Sequence, residues 1–281
     1  MSAGEYWDDE EEWEEDPAAS EGGSSWSSAV GRAEGFGTSL ALGLVAMAPL
    51  FVAYEFGLAR DAELPRTLSE RTLFRLFAVL PDWESGLRQL TLIVGVVGAL
   101  VLCFRRRVAL FPSLLRVFVE GGLGAIALGP ALAYGMRFLG GFDSEIDAVV
   151  GDTSLPIAAR VLGGAAFEEL LFRVGIFSVC YLLARRVVLF FGAGDRAASW
   201  SAEVIAVLGS ALGFASIHVA SLSSWLGSGG EVWDPAVFTW RALAGVFLAI
   251  LFRWRGPGVA AWSHGLFNLA VLIGAGPEVL L

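Results

Sequence analysis

The chain has 281 residues, of which 56% are hydrophobic and only 17% charged, with a formal net charge of −10. A soluble domain carries about 25% charged residues, so an ordinary water-soluble enzyme is excluded, and without a basic, aromatic-interleaved face so is a nucleic-acid binder. The two cysteines, Cys103 and Cys180, both sit in apolar stretches, which leaves neither a disulfide framework nor a cysteine metal site.

The negative charge is concentrated at one end. Glu5, Asp8, Asp9, Glu10, Glu11, Glu12, Glu14, Glu15 and Asp16 lie within the first sixteen residues, and the remaining acids nearly cancel the 19 basic residues, all of them arginine. Residues 1–36 mix acids, Trp, Ser and Gly without apolar periodicity and read as a disordered acidic tail. The segment WDDEEEWEED is either a solubilising extension or an acidic–aromatic motif that binds a protein partner. An acidic N-terminus is the opposite of a signal peptide, so an internal helix directs insertion.

A bilayer core about 30 Å thick takes about 20 apolar residues of helix to cross. Seven stretches qualify: 38–58, 88–104, 118–139, 155–184, 201–221, 236–253 and 257–275. The expected fold is all-α, a polytopic transmembrane helical bundle of about seven to eight spans, with N-terminal transmembrane helices over 37–150 and a second bundle over 151–281. Pro49 and Pro130 fall inside spans, where neighbouring helices tolerate them. Residues 67–80 are shorter and mixed, the pattern of an interfacial helix.

Arginine placement sets the expected orientation. Arg105, Arg106, Arg107 and Arg116 follow the second span, Arg185, Arg186 and Arg196 the fourth, and Arg253 and Arg255 the sixth. Asp143, Glu145, Asp147, Asp152, Glu231 and Asp234 occupy the intervening loops. The arginine ends are therefore expected in the cytoplasm, in a multi-pass protein of the cell (inner) membrane if the source is bacterial. Residues 59–87 run against this rule, since their four arginines would face outward, balanced by five acids.

Ionisable groups at bilayer depth cost roughly 3 kcal/mol each on insertion scales and mark working sites. Phe167-Glu168-Glu169-Leu170-Leu171-Phe172-Arg173 lies in the fourth span. Glu169 and Arg173, four apart, share a helix face and can pair. Glu168 is turned about 100° away and lacks that partner. Desolvation drives such a carboxylate to take up a proton, as a general base must. His218 ends the fifth span in Phe214-Ala215-Ser216-Ile217-His218, and His264 and Asn268 lie four apart in the seventh; the chain holds no other histidine. An ion-pair cluster that merely stabilises helices accounts for Glu169 and Arg173 but not for Glu168 and both histidines.

Two imidazoles, a carboxylate and an amide, with no buried Ser or Cys beside a base, fit attack by activated water. Glu168 would take the proton, His218 would orient the water, and His264 and Asn268 would hydrogen-bond the oxyanion. A zinc ion held by Glu168, His218 and His264 satisfies the same residues. A proton-coupled transporter would use them as relay groups, although no repeated halves are evident.

An EExxxR motif (Glu168 to Arg173), then FxxxH (Phe214 to His218), then HxxxN (His264 to Asn268), in that order on successive spans, resembles the CPBP family. That family comprises type 2 CAAX prenyl proteases and bacteriocin-processing and immunity relatives. The match covers residues 155–275. The resemblance implies an intramembrane endopeptidase with Glu168, His218, His264 and Asn268 as the catalytic set and Glu169 and Arg173 in support. It implies a membrane-associated, CAAX-like protein or peptide substrate and a metalloprotease or metal-free mechanism. The alternative within the same resemblance is a catalytically silent scaffold or immunity protein. HExxH is missing, and Gly192-Ala193-Gly194-Asp195 lies in a predicted loop, so other intramembrane protease types fit worse.

One geometric tension remains in the sequence. On straight helices, His264 lies about 10–15 Å from the cytoplasmic end of its span and His218 about 25–30 Å. A shared site requires the fifth helix to start later, tilt or bend.

Overall fold

The computed structural model describes residues 21–139, 154–226 and 232–274, with side chains from residue 38 onward. Among these, every regular element is helical. Two units are distinguished, Met1–Gly37 and Thr38–Leu281, the second of which holds the bundle. The tail expected over 1–36 lies, for residues 1–20, outside the described residues, and helix α1 begins at Glu21.

In chain order the helices are α1 (Glu21–Arg60), α2 (Leu68–Leu73), α3 (Glu84–Arg105), α4 (Leu110–Phe138), α5 (Leu155–Glu169), α6 (Ser178–Phe190), α7 (Asp195–Ser216), α8 (Ala220–Trp225), α9 (Pro235–Arg255) and α10 (Pro257–Leu272). A 3₁₀ turn covers Arg75–Val79, and a π-helical segment, Leu170–Phe177, joins α5 to α6. Five helices are long and apolar enough to cross a membrane: Thr38–Arg60 of α1, α3, α4, α7 and α9. The other two expected spans are the α5–π–α6 run, broken by its change of helix type, and α10, which has 16 residues.

Local chemistry explains the boundaries. Helix α4 begins eight residues before the expected span because Pro112 falls in its first turn, where a missing N–H removes no hydrogen bond. Arg116, a polar residue ahead of the expected span, pairs along the helix with Glu120 at 2.8 Å. Asp234 caps α9 by accepting from the backbone N–H of Ala236 and Val237, and Pro235 follows at the first helical position. Gly256 alone separates α9 from α10 and takes φ +87°, which a β-carbon would oppose, before Pro257 restarts the helix.

Around residues 59–87, whose arginines ran against the orientation rule, Arg66 and the adjoining Arg88 are held in ion pairs. Arg66 bridges Glu55 at 3.0 Å and Glu70 at 2.9 Å, while Arg88 reaches Glu70 at 2.8 Å and also contacts Glu84. Burial works against the charge on Arg66, but its hydrogen bond to Glu55 and the fields of Glu70, Glu55 and Tyr54 raise its guanidinium above the ordinary value. This network ties the end of α1 to α2 and the start of α3. The acidic loops expected at 140–153 and 227–231 lie outside the described residues.

Tyr54 carries the tie inward. Its hydroxyl accepts the Thr67 backbone N–H at 2.7 Å, and its ring lies 4.8 Å from that of Phe167, beside Glu168. Phe51 and Phe74 pack on the same Phe167 ring at 5.2 and 6.3 Å. The N-terminal helices thus form the wall behind the motif-bearing turn of α5.

Candidate active site

Helix α5 delivers its two carboxylates against α10. A β-carbon at Gly265 would stand 2.7 Å from the Leu162 carbonyl oxygen, so only glycine permits this approach. His264, the residue before it, lies between the two acids. Its Nδ1 lies 2.9 Å from Glu169 Oε1, and its Nε2 stands 3.4 Å from Glu168 Oε2. The second distance is longer than an ordinary charge-assisted hydrogen bond. Glu169 is fully buried, whereas the Glu168 side chain keeps 16% exposure. Glu168 therefore has a neighbour, but a neighbour other than Arg173.

Arg173 completes the chain of charges from the opposite side. Its Nε is 3.2 Å from Glu169 Oε2 at zero exposure for both side chains. The pair is electrostatic rather than a well-aligned hydrogen bond, since Arg173 Nε and Nη1 and Glu169 Oε2 lack hydrogen-bond partners among the described residues. Arg173 Nη2 donates to the Gly245 carbonyl at 3.4 Å, and the guanidinium carbon lies 5.0 Å from the Phe214 ring centre. A buried charge is tolerable only with compensation of this kind, here carboxylate plus aromatic face.

The switch to π-helix starts at Leu170, directly after the two acids. A π-turn shifts the carbonyl partners by one residue, and such bulges cluster at functional sites. The Phe172 carbonyl accepts an additional hydrogen bond here from the buried Ser210 hydroxyl of α7, at 3.0 Å. The 210–214–218 row of α7 faces the site: Ser210 holds the π-turn, Phe214 holds Arg173, and His218 follows the helix end.

Phe214 joins the two histidines. Its ring centre is 5.1 Å from that of His218 and 5.5 Å from that of His264, with edge-on packing in both cases. His218 Nδ1–H donates to the Phe214 carbonyl at 2.8 Å, which leaves Nε2 as the nitrogen turned away from the backbone. Asn268 sits half-buried one turn beyond His264 on α10.

The fifth helix starts earlier than expected, at Asp195, and ends at Ser216, two residues before His218. Glu203 on α7 pairs with Arg253 at 2.6 Å, which sets the end of α9 about two turns above the start of α7. From that level His218 is about 22 Å along the chain direction of α7 and His264 about 12 Å along α10. The Phe214 ring, packed against both imidazoles, spans the difference.

Sequence reasoning missed Ser210, although its spacing of four from Phe214 was visible, and Gly245, whose backbone carbonyl leaves no sequence signal. Among the described residues no group of three His, Cys, Asp or Glu side chains is placed to hold a metal ion, so the zinc set expected of Glu168, His218 and His264 is not assembled as such.

Residues 151–270 match the family model described as type II CAAX prenyl endopeptidase Rce1-like. No curated protein matches the chain, and no solved structure does. The matched segment contains all three motifs. Over residues 151–270, under half of its length, this integral membrane protein thus resembles the Rce1-like type II CAAX prenyl endopeptidase family.

Proposed function

We propose that the protein is an endopeptidase that hydrolyses a peptide bond of a membrane-associated, CAAX-like substrate by direct attack of water, without a metal ion. The observation that carries this reading is the single imidazole of His264 held between two carboxylates, one fully buried and one still accessible. In this reading Glu168, the accessible member, removes a proton as the water oxygen bonds to the scissile carbonyl carbon. His218, neutral with Nε2 as acceptor, holds the second hydrogen of that water. The oxyanion accepts from the Asn268 amide, one turn beyond His264 on α10. As the carbon–nitrogen bond breaks, the Glu168–His264 pair returns the proton to the leaving amine, and the acid product remains.

The test is cleavage of a fluorogenic peptide bearing an isoprenylated cysteine three residues before its free C-terminus, in proteoliposomes. Glu168→Ala and His218→Ala should each lower kcat by about 10²–10⁴-fold, the range of a lost general base. Wild-type rates in both variants would reject the reading and leave the silent scaffold in its place.

A further inference from the structure

Resting on that reading, we infer that Glu169, with Arg173 as its counter-ion, is a positioning residue that fixes the tautomer of His264. An ionised carboxylate only accepts hydrogen bonds, so the 2.9 Å contact from Glu169 Oε1 places the proton on Nδ1. The other nitrogen, Nε2, is thereby turned to Glu168 at 3.4 Å, and any mobile proton of the pair lies between Nε2 and Glu168. Arg173 supplies the counter-charge, its guanidinium standing 3.2 Å from the carboxylate oxygen that His264 does not use. The two oxygens of Glu169 thus serve two partners, one for charge and one for orientation. His218 is fixed in the same tautomer by different means, the backbone carbonyl of Phe214. Both histidines present Nε2 as the working nitrogen, although they come from different helices.

A helix-stabilising ion pair makes a different prediction. Replacing a buried ion pair with apolar residues of similar volume is often neutral or stabilising, so a purely structural pair should be dispensable together. The experiment uses full-length protein labelled with ¹⁵N-histidine, whose two imidazoles are assigned with His218→Gln. Wild type should show His264 protonated at Nδ1 throughout the pH range in which the protein is folded. The double variant E169L/R173M, which removes the acceptor and its counter-charge together, should show a mixed or Nε2–H tautomer and a kcat lowered by about 10²-fold or more. Loss of a tautomer-setting carboxylate in a serine hydrolase costs about 10⁴-fold. E169Q/R173M, whose amide oxygen still accepts from Nδ1, should restore the tautomer and most of the rate.

A neutral His264 carrying its proton on Nε2 in wild type would overturn the inference, whether or not the variants fold. So would an unchanged tautomer or wild-type kcat in E169L/R173M. These outcomes are separable from failure of the hydrolase reading, because the nitrogen spectrum requires no substrate.

Discussion

Glu168 and Glu169 point about 100° apart on an ideal helix, yet both reach one imidazole because His264 enters from a second helix with a nitrogen toward each. The sequence carried the types and spacing of these groups, and the Glu169–Arg173 pair follows from i,i+4 geometry alone. It did not carry the partner of Glu168, since a contact between residues 168 and 264 is a property of packing. At this scale Asn268→Ala should lower kcat by about 10²–10³-fold, the cost of one oxyanion donor, with KM little changed; steady-state kinetics in proteoliposomes checks it. An equal rise in KM with kcat intact would place Asn268 in substrate binding instead.

At the scale of elements, the site depends on how closely α5, α7 and α10 approach. Gly265→Val would drive a branched side chain into the Leu162 carbonyl. Overpacking of this kind costs about 1–3 kcal/mol, read as a lower Tm in detergent together with loss of activity. Ser210→Ala removes one hydrogen bond to the Phe172 carbonyl at the π-turn. Losing a buried partner costs about 1–3 kcal/mol, and the same thermal measurement should register it. The apolar stretches made the existence of the helices legible, together with Pro49 and Pro130 inside them. Their ends were less legible, because Arg116 belongs to a helix but read as loop, and its ion pair with Glu120 appears only in three dimensions. The π-segment left no mark in the residue pattern.

Across the whole molecule, charge is handled in three ways. Near the start of α3, the Glu55–Arg66–Glu70–Arg88–Glu84 network links consecutive elements. Where α9 ends, Arg253 pairs with Glu203, and Arg255 with Glu120. Between these levels Arg173, Glu169, His264 and Glu168 form the polar cluster of the site. The exposed pairs contribute about 0–1 kcal/mol each, so Glu203→Ala should shift Tm little and leave kcat unchanged. Five apolar helices of spanning length predict that the protein stays with the membrane fraction after alkaline extraction. The most direct test of direct water attack is a single turnover in water enriched in heavy oxygen, with enzyme in excess over the isoprenylated peptide. The first-turnover product should carry the heavy oxygen in its new carboxyl group, and Glu168→Gln should yield no product. An unlabelled first-turnover product, which would make Glu168 a covalent nucleophile, or full activity of Glu168→Gln, would contradict the account.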